Sequence, residues 1–350
     1  MLLNTKIRNI LSGSKLQYGS FNISNNKYFY KIISKKLANR EIKGYKALCS
    51  KYPVARLIGG YPLDDEKSIL VFEYETTINR ESGLLIDFFA NKTEIDGTII
   101  NILELYRKIF IDTLCLDSGK SSDILFKSRI KTRLIKYYDQ NFIDQMDGVK
   151  LILNGHELTL QLKMVIESIK NFFNNQTKTW CVLSQCDPGD LNIGIKPIIL
   201  DYLAGGYNPL MAEFATFFWY QLAMSNYFAL KYHHKAYSKH KKIYKKIDKI
   251  SFDSYQCKII HYSNILRRDF TKEYIEQVIK PAMEKIDYSE SWYEEFKNYL
   301  AMRILCVFNV KQMSREDVLL SLGYLQLFYA QDLNNPKELL KFFSAKNNEY

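Results

Sequence analysis

Glycine, proline and cysteine are scarce in this sequence, with 15, 7 and 6 residues among 350. So little glycine and proline excludes collagen-like and low-complexity chains. The cysteines are widely spaced except for Cys181 and Cys186, and no Cys-x-x-Cys pair occurs. This is not the pattern of a disulfide scaffold, so we expect reduced thiols in a cytoplasmic protein.

Uninterrupted apolar runs are also missing. Lys6 and Arg8 stand inside the N-terminal apolar stretch, which does not predict a secretory signal. The most apolar window, residues 211–230, contains Glu213 and several uncharged polar residues, so it predicts a buried helix and not a membrane span. None of the five histidines lies near the motif described below, which argues against histidine-based catalysis and a zinc site.

Basic residues exceed acidic residues by 49 to 38, which gives a formal net charge of +11. Eight lysines and one acid fall within residues 231–249. This run predicts the solvated face of a helix, although peripheral contact with an anionic surface or an anionic small molecule fits the same charges. Nucleic acid is not an expected partner.

Strand-like alternation dominates the first 75 residues. The expected strands cover residues 16–24, 27–34, 54–63 and 67–75. Asn25 and Asn26 separate the first two runs and predict a hairpin turn. A helical pattern follows over residues 39–52, with Asn39 as the expected N-cap and Pro53 as the stop.

Beyond residue 80, apolar residues recur at helical spacing, with one β-like interruption over residues 179–205. The change of period predicts a small β-rich N-terminal lobe over residues 1–75 and a large α-helical C-terminal lobe over residues 76–350. Ser-Gly-Lys-Ser at residues 118–121 looks like the end of a phosphate-binding loop, but Leu114 stands where that motif needs glycine. We interpret the tetrapeptide as a helix C-terminus with a glycine stop.

Residues 185–192 read Gln-Cys-Asp-Pro-Gly-Asp-Leu-Asn, and Asp201 ends the next short apolar run. A turn after a strand would expose Asp187, and Asn192 can fold back beside it. Amide and carboxylate oxygens suit Mg²⁺, whose other ligands are phosphate oxygens and water. The pattern D-x₄-N-x₈-D thus provides what phosphoryl transfer needs: one carboxylate for the incoming hydroxyl and two groups for the metal. Each residue alone is equally a turn former, but apolar strands flank both carboxylates.

These residues resemble the signature of the aminoglycoside phosphotransferase and choline kinase family, small-molecule kinases with a protein-kinase-like fold. The family reads roughly His-Gly-Asp-x₄-Asn, followed by an Asp that opens a second motif. The resemblance implies an α+β, two-lobed fold with Mg²⁺ and ATP, or another nucleoside triphosphate, as cofactors. It implies Asp187 as the catalytic base, Asn192 and Asp201 as Mg²⁺ ligands, and Glu213 as a structural carboxylate that braces the loop.

The same resemblance implies nucleotide-binding residues in the N-terminal part. Such a fold needs a strand lysine held by a helix glutamate, and Lys31 and Glu41 stand in those places. The alternative interpretation of Lys31 is an ordinary exposed strand lysine. Gly13 and Ser14 occupy the place of the phosphate-covering turn. The hinge that meets adenine is expected at the backbone of Glu73, Tyr74 and Glu75.

The sequence departs from the family at Gln185 and Cys186, where the family has His and Gly. Glutamine can replace histidine as a donor and acceptor. Asp187, Asn192 and Asp201 are all retained, so we expect an active kinase. A second hypothesis is a kinase-fold nucleotide-binding or scaffold protein without phosphotransfer. A third is a basic surface protein that contacts nucleic acid or an anionic membrane through residues 231–249.

The expected partner is a small-molecule hydroxyl acceptor: an aminoglycoside, a choline-like amine, a sugar or an amino-alcohol. Residues 284–295 combine five acids with three aromatic residues, a composition that suits a cationic acceptor through cation–π contact. The alternative interpretation is that Trp292 and Tyr293 pack in the core beneath a charged helix face.

Overall fold

The computed structural model describes residues 17–23, 25–74, 83–234, 236–238, 240, 249–252, 257–286 and 292–343. Gly13 and Ser14 of the predicted phosphate-covering turn lie outside these residues, and so does Glu75 of the predicted hinge. The expected boundary between the lobes, after residue 75, also lies outside them and stays a prediction.

An antiparallel four-stranded sheet forms the N-terminal lobe. Its strands are β1 (Tyr18–Ile23), β2 (Asn26–Ser34), β3 (Leu57–Pro62) and β4 (Lys67–Glu73), in the order β1-β2-β4-β3. β1 and β2 form the predicted hairpin, in which Ile23 lies opposite Asn26. Tyr30, Ile69 and Val71 pack together on one face of the central strands, where aromatic and β-branched side chains fit a pleated surface. The four predicted strands are confirmed.

Helix α1 (Lys35–Leu48) follows β2 directly and begins four residues before the predicted N-cap. The prediction of Asn39 was wrong, because the Ser34 hydroxyl accepts a hydrogen bond from the Leu37 backbone N–H and caps the helix there. Lys35 to Ala38 are good helix formers, so nothing in them delays the start. The helix ends at Leu48, before it reaches Pro53.

Helices form most of the C-terminal lobe. They are α2 (Leu85–Asn91), α3 (Gly97–Thr113), α4 (residues 127–137), α5 (Gln140–Met146), α6 (Leu162–Asn175), α7 (residues 210–232), α8 (residues 265–284), α9 (Trp292–Cys306) and α10 (Arg315–Tyr329). The apolar window lies in α7, whose residues 210–229 are all buried except Tyr220, so the predicted buried helix is confirmed. Among the described residues, no helix is both long enough and apolar enough to cross a membrane.

Three small sheets lie among these helices. One contains β5 (Cys115–Asp117), β8 (Thr179–Ser184) and β11 (Gly206–Pro209), in the order β11-β8-β5, and a second is the hairpin of β9 (Ile193–Gly194) and β10 (Ile198–Ile199). The third contains β6 (Lys150–Leu153), β7 (His156–Thr159), β12 (Lys249–Phe252) and β13 (Cys257–Ile260), in the order β12-β13-β6-β7. The first two sheets carry the candidate site described below.

The tetrapeptide at residues 118–121 does not end a helix, so that prediction was wrong. α3 ends at Thr113, the short strand β5 follows, and Gly119 with a φ of 61° begins a tight 3₁₀ turn. The helix stops early because β5 pairs with β8 in the sheet. Arg40 of α1 donates a hydrogen bond to the Ser121 carbonyl at 2.7 Å, which joins the N-terminal lobe to this turn.

The two lobes pack closely where α1 meets the loop after β10. A Cβ atom on Gly44 would lie 1.9 Å from the Tyr202 carbonyl oxygen. The Tyr202 hydroxyl accepts a hydrogen bond from the Ala55 N–H at 3.0 Å, and the Tyr52 hydroxyl donates to the Leu183 carbonyl at 2.8 Å. The α+β, two-lobed class is therefore confirmed, and the loop that begins at Asp201 is held against the N-terminal lobe.

The substitution Gly44→Ala should lower the free energy of unfolding by about 1–3 kcal/mol, because the added methyl group meets backbone atoms that move only if the lobes separate. Better helix propensity of alanine offsets about 1 kcal/mol at most. Urea denaturation measures the difference. Gly97→Ala is the matched control, since a Cβ at Gly97 meets open space. Equal stability of the two variants would contradict the close approach of the lobes.

Candidate active site

The loop between β8 and β9 folds back on itself and presents Asp187. The Asn192 amide Nδ2 donates a hydrogen bond to the Asp187 carbonyl oxygen at 2.9 Å, as the spacing of the motif predicted. The Gly189 N–H donates to the same carbonyl at 2.7 Å. Cys186 has a φ of 55°, a left-handed conformation that turns the chain sharply before Asp187. This compact turn leaves the Asp187 side chain 26% exposed.

A buried arginine and a tyrosine hold the Asp187 carboxylate in place. Its Oδ1 accepts hydrogen bonds from the Tyr220 hydroxyl at 2.8 Å and from Arg303 Nη2 at 3.1 Å. Within the described chain, no residue donates a hydrogen bond to the Asp187 Oδ2 atom. One oxygen is therefore oriented by the protein, while the other remains able to accept a hydrogen bond from a ligand.

The β9–β10 hairpin brings Asn192 and Asp201 to neighbouring positions. The Leu200 N–H donates to the Asn192 carbonyl at 2.9 Å, so Asp201 follows directly after a residue paired with Asn192. Asp201 has a φ of 64° and a side chain that is 39% exposed. Because Asn192 uses its Nδ2 in the loop, its amide oxygen remains as a ligand. One carboxylate and one amide oxygen fit Mg²⁺ together with phosphate oxygens and water.

Lys31 of β2 connects the N-terminal lobe to this hairpin. Its Nζ lies 2.6 Å from Glu41 Oε1 and 3.5 Å from Asp201 Oδ1. Burial by itself lowers the pKa of Lys31, but the Asp201 and Glu41 carboxylates outweigh burial and raise it above the ordinary value. The Lys31 side chain is only 20% exposed and lies between the carboxylates of Glu41 and Asp201. It is therefore a charged group fixed in position and not an ordinary exposed strand lysine.

Further buried groups support the loop between β8 and β9 and the segments next to it. The Asn208 side-chain amide donates to the carbonyls of Ser184, Ala204 and Gly206, and Asp190 forms an ion pair with buried Arg267 at 2.6 Å. Gln185 Nε2 donates to the Tyr106 hydroxyl at 3.2 Å, so the residue that replaces the family histidine does form a supporting hydrogen bond. These contacts fix the loop's shape before any ligand binds.

Glu213 lies fully buried in α7, where burial raises the pKa of its carboxyl to about 7 against the opposing effects of the Ser184 hydroxyl and the Cys186 backbone N–H. The folded state therefore favours the protonated form. This contribution to stability is complete below the ordinary pKa of 4.5 and is lost as the pH rises to about 7.

We therefore expect Glu213→Gln, which is neutral at every pH, to gain stability relative to the wild type as the pH rises. Between pH 4.5 and pH 8 the difference in unfolding free energy should grow by about 3 kcal/mol. Denaturant titrations at several pH values measure it. The exposed Glu104→Gln serves as the control and should show no such growth. Parallel pH curves for wild type and Glu213→Gln would contradict the buried, protonated carboxyl.

The predicted hinge is only partly described. The Glu73 N–H donates to the Arg56 carbonyl at 2.8 Å, and the Tyr74 N–H donates to the Lys27 carbonyl at 3.1 Å. Both N–H groups are therefore occupied within the N-terminal lobe and do not point to adenine as donors. Contact with adenine through this hinge stays a prediction.

Two surface predictions have different outcomes. Trp292 and Tyr293 are 1% and 3% exposed and belong to the core, so the packing interpretation is confirmed for them. Lys231 forms an ion pair with buried Asp317 at 2.5 Å. Most of residues 241–249 lie outside the described residues, so contact of this run with an anionic surface stays a prediction.

Sequence reasoning missed the residues that contact Asp187 from distant helices. Tyr220 lies in α7 and Arg303 in α9, far along the chain from the loop. Two more arginines, Arg129 and Arg133, lie near Arg303 and are one helical turn apart in α4. The available signal was weak: arginine is rare here, with 11 residues against 38 lysines, and two of the 11 stand at i and i+4.

Comparison with solved structures identifies the fold of the chain. No profile of a known protein family matches the chain, and no curated protein sequence does. A solved structure of a thermostable mutant of aminoglycoside phosphotransferase APH(4)-Ia, with ADP and hygromycin B, superposes with a TM-score of 0.51 at 8% identity, covering 94% of this chain and 98% of that one. A second mutant of the same enzyme, with AMP-PNP and hygromycin B, gives a TM-score of 0.50 at 8% identity over 93% and 97%.

The chain therefore has a two-lobed, protein-kinase-like fold. More narrowly, it has the version of that fold found in aminoglycoside phosphotransferases, as the sequence resemblance implied. An amicoumacin kinase in complex with AMP-PNP and Ca²⁺ scores lower, with a TM-score of 0.47 at 10% identity over 96% of this chain and 98% of that one. At such identities the comparison establishes the fold, and chemistry has to be argued from the site.

Proposed function

We propose that this protein is an ATP-dependent phosphotransferase that moves the γ-phosphate to a hydroxyl group of a small molecule, with Mg²⁺ as cofactor. The position of Lys31 carries the proposal, because its ammonium lies 2.6 Å from Glu41 and 3.5 Å from Asp201. Residues from three separate segments meet there, next to the loop that holds Asp187. Phosphoryl transfer needs this combination of a phosphate-binding cation, metal ligands and a carboxylate.

In this proposal residues 1–75 bind the nucleotide and residues 76–350 supply the catalytic and acceptor-binding groups. Lys31 binds the nucleotide phosphates as a point charge, and Glu41 keeps it in place. Asn192 and Asp201 would hold Mg²⁺, which neutralises charge on the phosphates when bound. The remaining nucleotide contacts are assigned to Gly13 and Ser14 over the phosphates and to the backbone of Glu73, Tyr74 and Glu75 at adenine, without the paired N–H groups of Glu73 and Tyr74 as donors.

Asp187 is the proposed base. The acceptor oxygen forms a bond to the γ-phosphorus, the bond from that phosphorus to the bridging oxygen breaks, and ADP leaves. The hydroxyl proton passes to Asp187 Oδ2, while Tyr220 and Arg303 hold Oδ1. Catalysis then consists mainly of positioning and of electrostatic stabilisation.

ADP formation with a panel of aminoglycosides, choline-like amines, sugars and amino-alcohols tests the proposal. We expect at least one acceptor to stimulate ADP formation and chelation of Mg²⁺ to abolish it. Asp201→Asn should reduce turnover by about a hundredfold, since a charged metal ligand is lost. Asp65→Asn, an exposed substitution between β3 and β4, is the control and should leave turnover unchanged.

One observation favours a second candidate, a kinase-fold protein that binds nucleotide without transferring phosphate. Oδ1 of Asp187 already accepts two hydrogen bonds, which is an arrangement that also suits a purely structural carboxylate. Mg²⁺-dependent ATP binding without stimulation by any acceptor would support this candidate. Absence of ATP binding would contradict both candidates.

A further inference from the structure

Three arginines converge beside Asp187, on α4 and α9 of the C-terminal lobe. We refer to Arg129, Arg133 and Arg303 as the arginine cluster. Arg303 is 2% exposed, and its guanidinium lies 5.2 Å from the centre of the Tyr220 ring. Arg133 Nη1 donates to the Cys306 carbonyl at 2.8 Å, which ties α4 to the end of α9.

The hydrogen-bonding capacity of the cluster is only partly used. Arg303 donates to Asp187 through Nη2, but its buried Nε and Nη1 atoms have no hydrogen-bond partner in the described part of the chain. The backbone N–H of Arg129 donates to the Phe126 carbonyl, but its side chain forms neither a hydrogen bond nor an ion pair with any described residue. Buried donors without acceptors are costly in proteins, and a ligand is one common source of the missing acceptors.

The local charge is strongly positive. Asp187 is the carboxylate that pairs with the cluster, and Glu213, behind it, favours the protonated form below pH 7. Burial and Arg133 lower the pKa of His233, which disfavours its charged form. Burial, Arg303 and Arg133 lower the pKa of Arg129 to about 10, as expected where cations are close together without enough anions.

We propose that the acceptor hydroxyl belongs to an anionic molecule, whose phosphate or carboxylate group binds the arginine cluster. This inference rests on the proposed function and narrows its acceptor. Guanidinium groups match oxyanions in geometry as well as charge, and a buried oxyanion would supply acceptors for the unused donors of Arg303. A polycationic acceptor would instead meet three cations close to the base.

The cluster is assigned to the acceptor and not to the nucleotide. Among the described residues, no hydrogen bond or ion pair joins Arg129, Arg133 or Arg303 to Lys31 or Asp201. The nucleotide phosphates have Lys31 and the metal ligands in that separate group. In the transfer step the anionic group of the acceptor stays unchanged, while its hydroxyl loses a proton to Asp187 and gains the phosphoryl group.

Binding of inorganic phosphate to the complex with Mg²⁺ and AMP-PNP tests the cluster directly, because the nucleotide then fills its own phosphate sites. Calorimetry should show that Arg129→Gln weakens phosphate binding by about tenfold. Arg107→Gln, an exposed substitution on α3 that removes the same charge, should not weaken it. Thermal melting of each variant checks that the fold is retained. Absence of phosphate binding to the wild type, or equal weakening in both variants, would overturn the proposal.

Turnover of three related alcohols tests the acceptor class: glycerol, glycerol 3-phosphate and glycerate, with hygromycin B and choline as cationic comparisons. We expect stimulation by an anionic member, and the phosphate and carboxylate forms distinguish the two oxyanions. Arg129→Gln should raise the KM for that acceptor about tenfold, with the KM for ATP unchanged. If cationic acceptors react faster, or if Arg129→Gln lowers kcat and leaves the acceptor KM unchanged, the proposal is wrong.

Failure of the proposed function would give a different result. No acceptor of any class would then stimulate ADP formation, although the protein could still bind Mg²⁺ and nucleotide. The phosphate titration still decides the arginine cluster in that case, since it measures binding and not turnover.

Discussion

Asp187→Asn should reduce acceptor-dependent ADP formation by about 10²–10⁴-fold and leave the affinity for Mg²⁺-ATP nearly unchanged. The amide cannot take the hydroxyl proton, but it has almost the same shape as the carboxylate. Its oxygen can still accept the hydrogen bonds from Tyr220 and Arg303 that hold the side chain at 2.8 and 3.1 Å. Steady-state kinetics at saturating ATP, with nucleotide binding measured separately, give both quantities.

Asparagine is preferable to alanine at this position. Alanine would leave the buried Arg303 guanidinium without its carboxylate, and breaking a buried ion pair costs about 3–5 kcal/mol of stability. A loss of activity in the alanine variant could therefore come from unfolding. Asp112→Asn, an exposed aspartate on α3, is the matched control and should retain full turnover. Full turnover in Asp187→Asn would show that Asp187 is not the base.

Lys31→Met should lower kcat/KM for ATP by about 10²–10³-fold, because it removes the cation proposed to bind the nucleotide phosphates. Glu41→Gln should have a smaller effect of about tenfold, since Lys31 keeps its charge but loses the contact that positions it at 2.6 Å. The double variant should be no worse than Lys31→Met alone, because Glu41 is expected to act through Lys31.

The effect of the Lys31 and Glu41 substitutions on the stability of the fold must also be measured. Lys31→Met leaves Glu41, which is 3% exposed, without its partner, and an uncompensated buried carboxylate destabilises the fold. The double variant removes both charges, so it tests the kinetic role without that penalty. Lys36→Met, at an exposed position of α1, is the control. If the double variant kept wild-type kinetics, the assignment of Lys31 to the nucleotide would be wrong.

Much of the fold could be predicted because its local signals agree with its final structure. Alternation along β1 and β2 and the Asn25-Asn26 turn are properties of adjacent residues, and the hairpin formed where they indicated. The errors occurred at ends of elements. Ser34, and not Asn39, caps α1. α3 ends before residues 118–121 because β5 pairs with β8. Both outcomes depend on neighbours that periodicity does not report.

Some contacts of the candidate site could also be predicted from the sequence, and others could not. Asp187 and Asn192 are five residues apart, so their contact follows from one turn of the chain and could be inferred directly. The meeting of Lys31, Glu41 and Asp201 spans 170 residues and was expected only because the residues resemble a known family. Neither a short spacing in the chain nor the family resemblance predicted the contacts of Asp187 with Tyr220 and Arg303.

The sequence by itself therefore determined the order of strands and helices, the buried character of α7, and the short-range motif that carries the proposed base and metal ligands. These depend on hydrophobic period and on residue types a few positions apart. Only the tertiary structure decided which cations surround Asp187. Arg129 and Arg133 come from α4 and Arg303 from α9, and helix packing brings them together over more than 170 residues of chain. The charge at a site depends on which side chains the fold brings together there, so the net charge of the chain does not predict it.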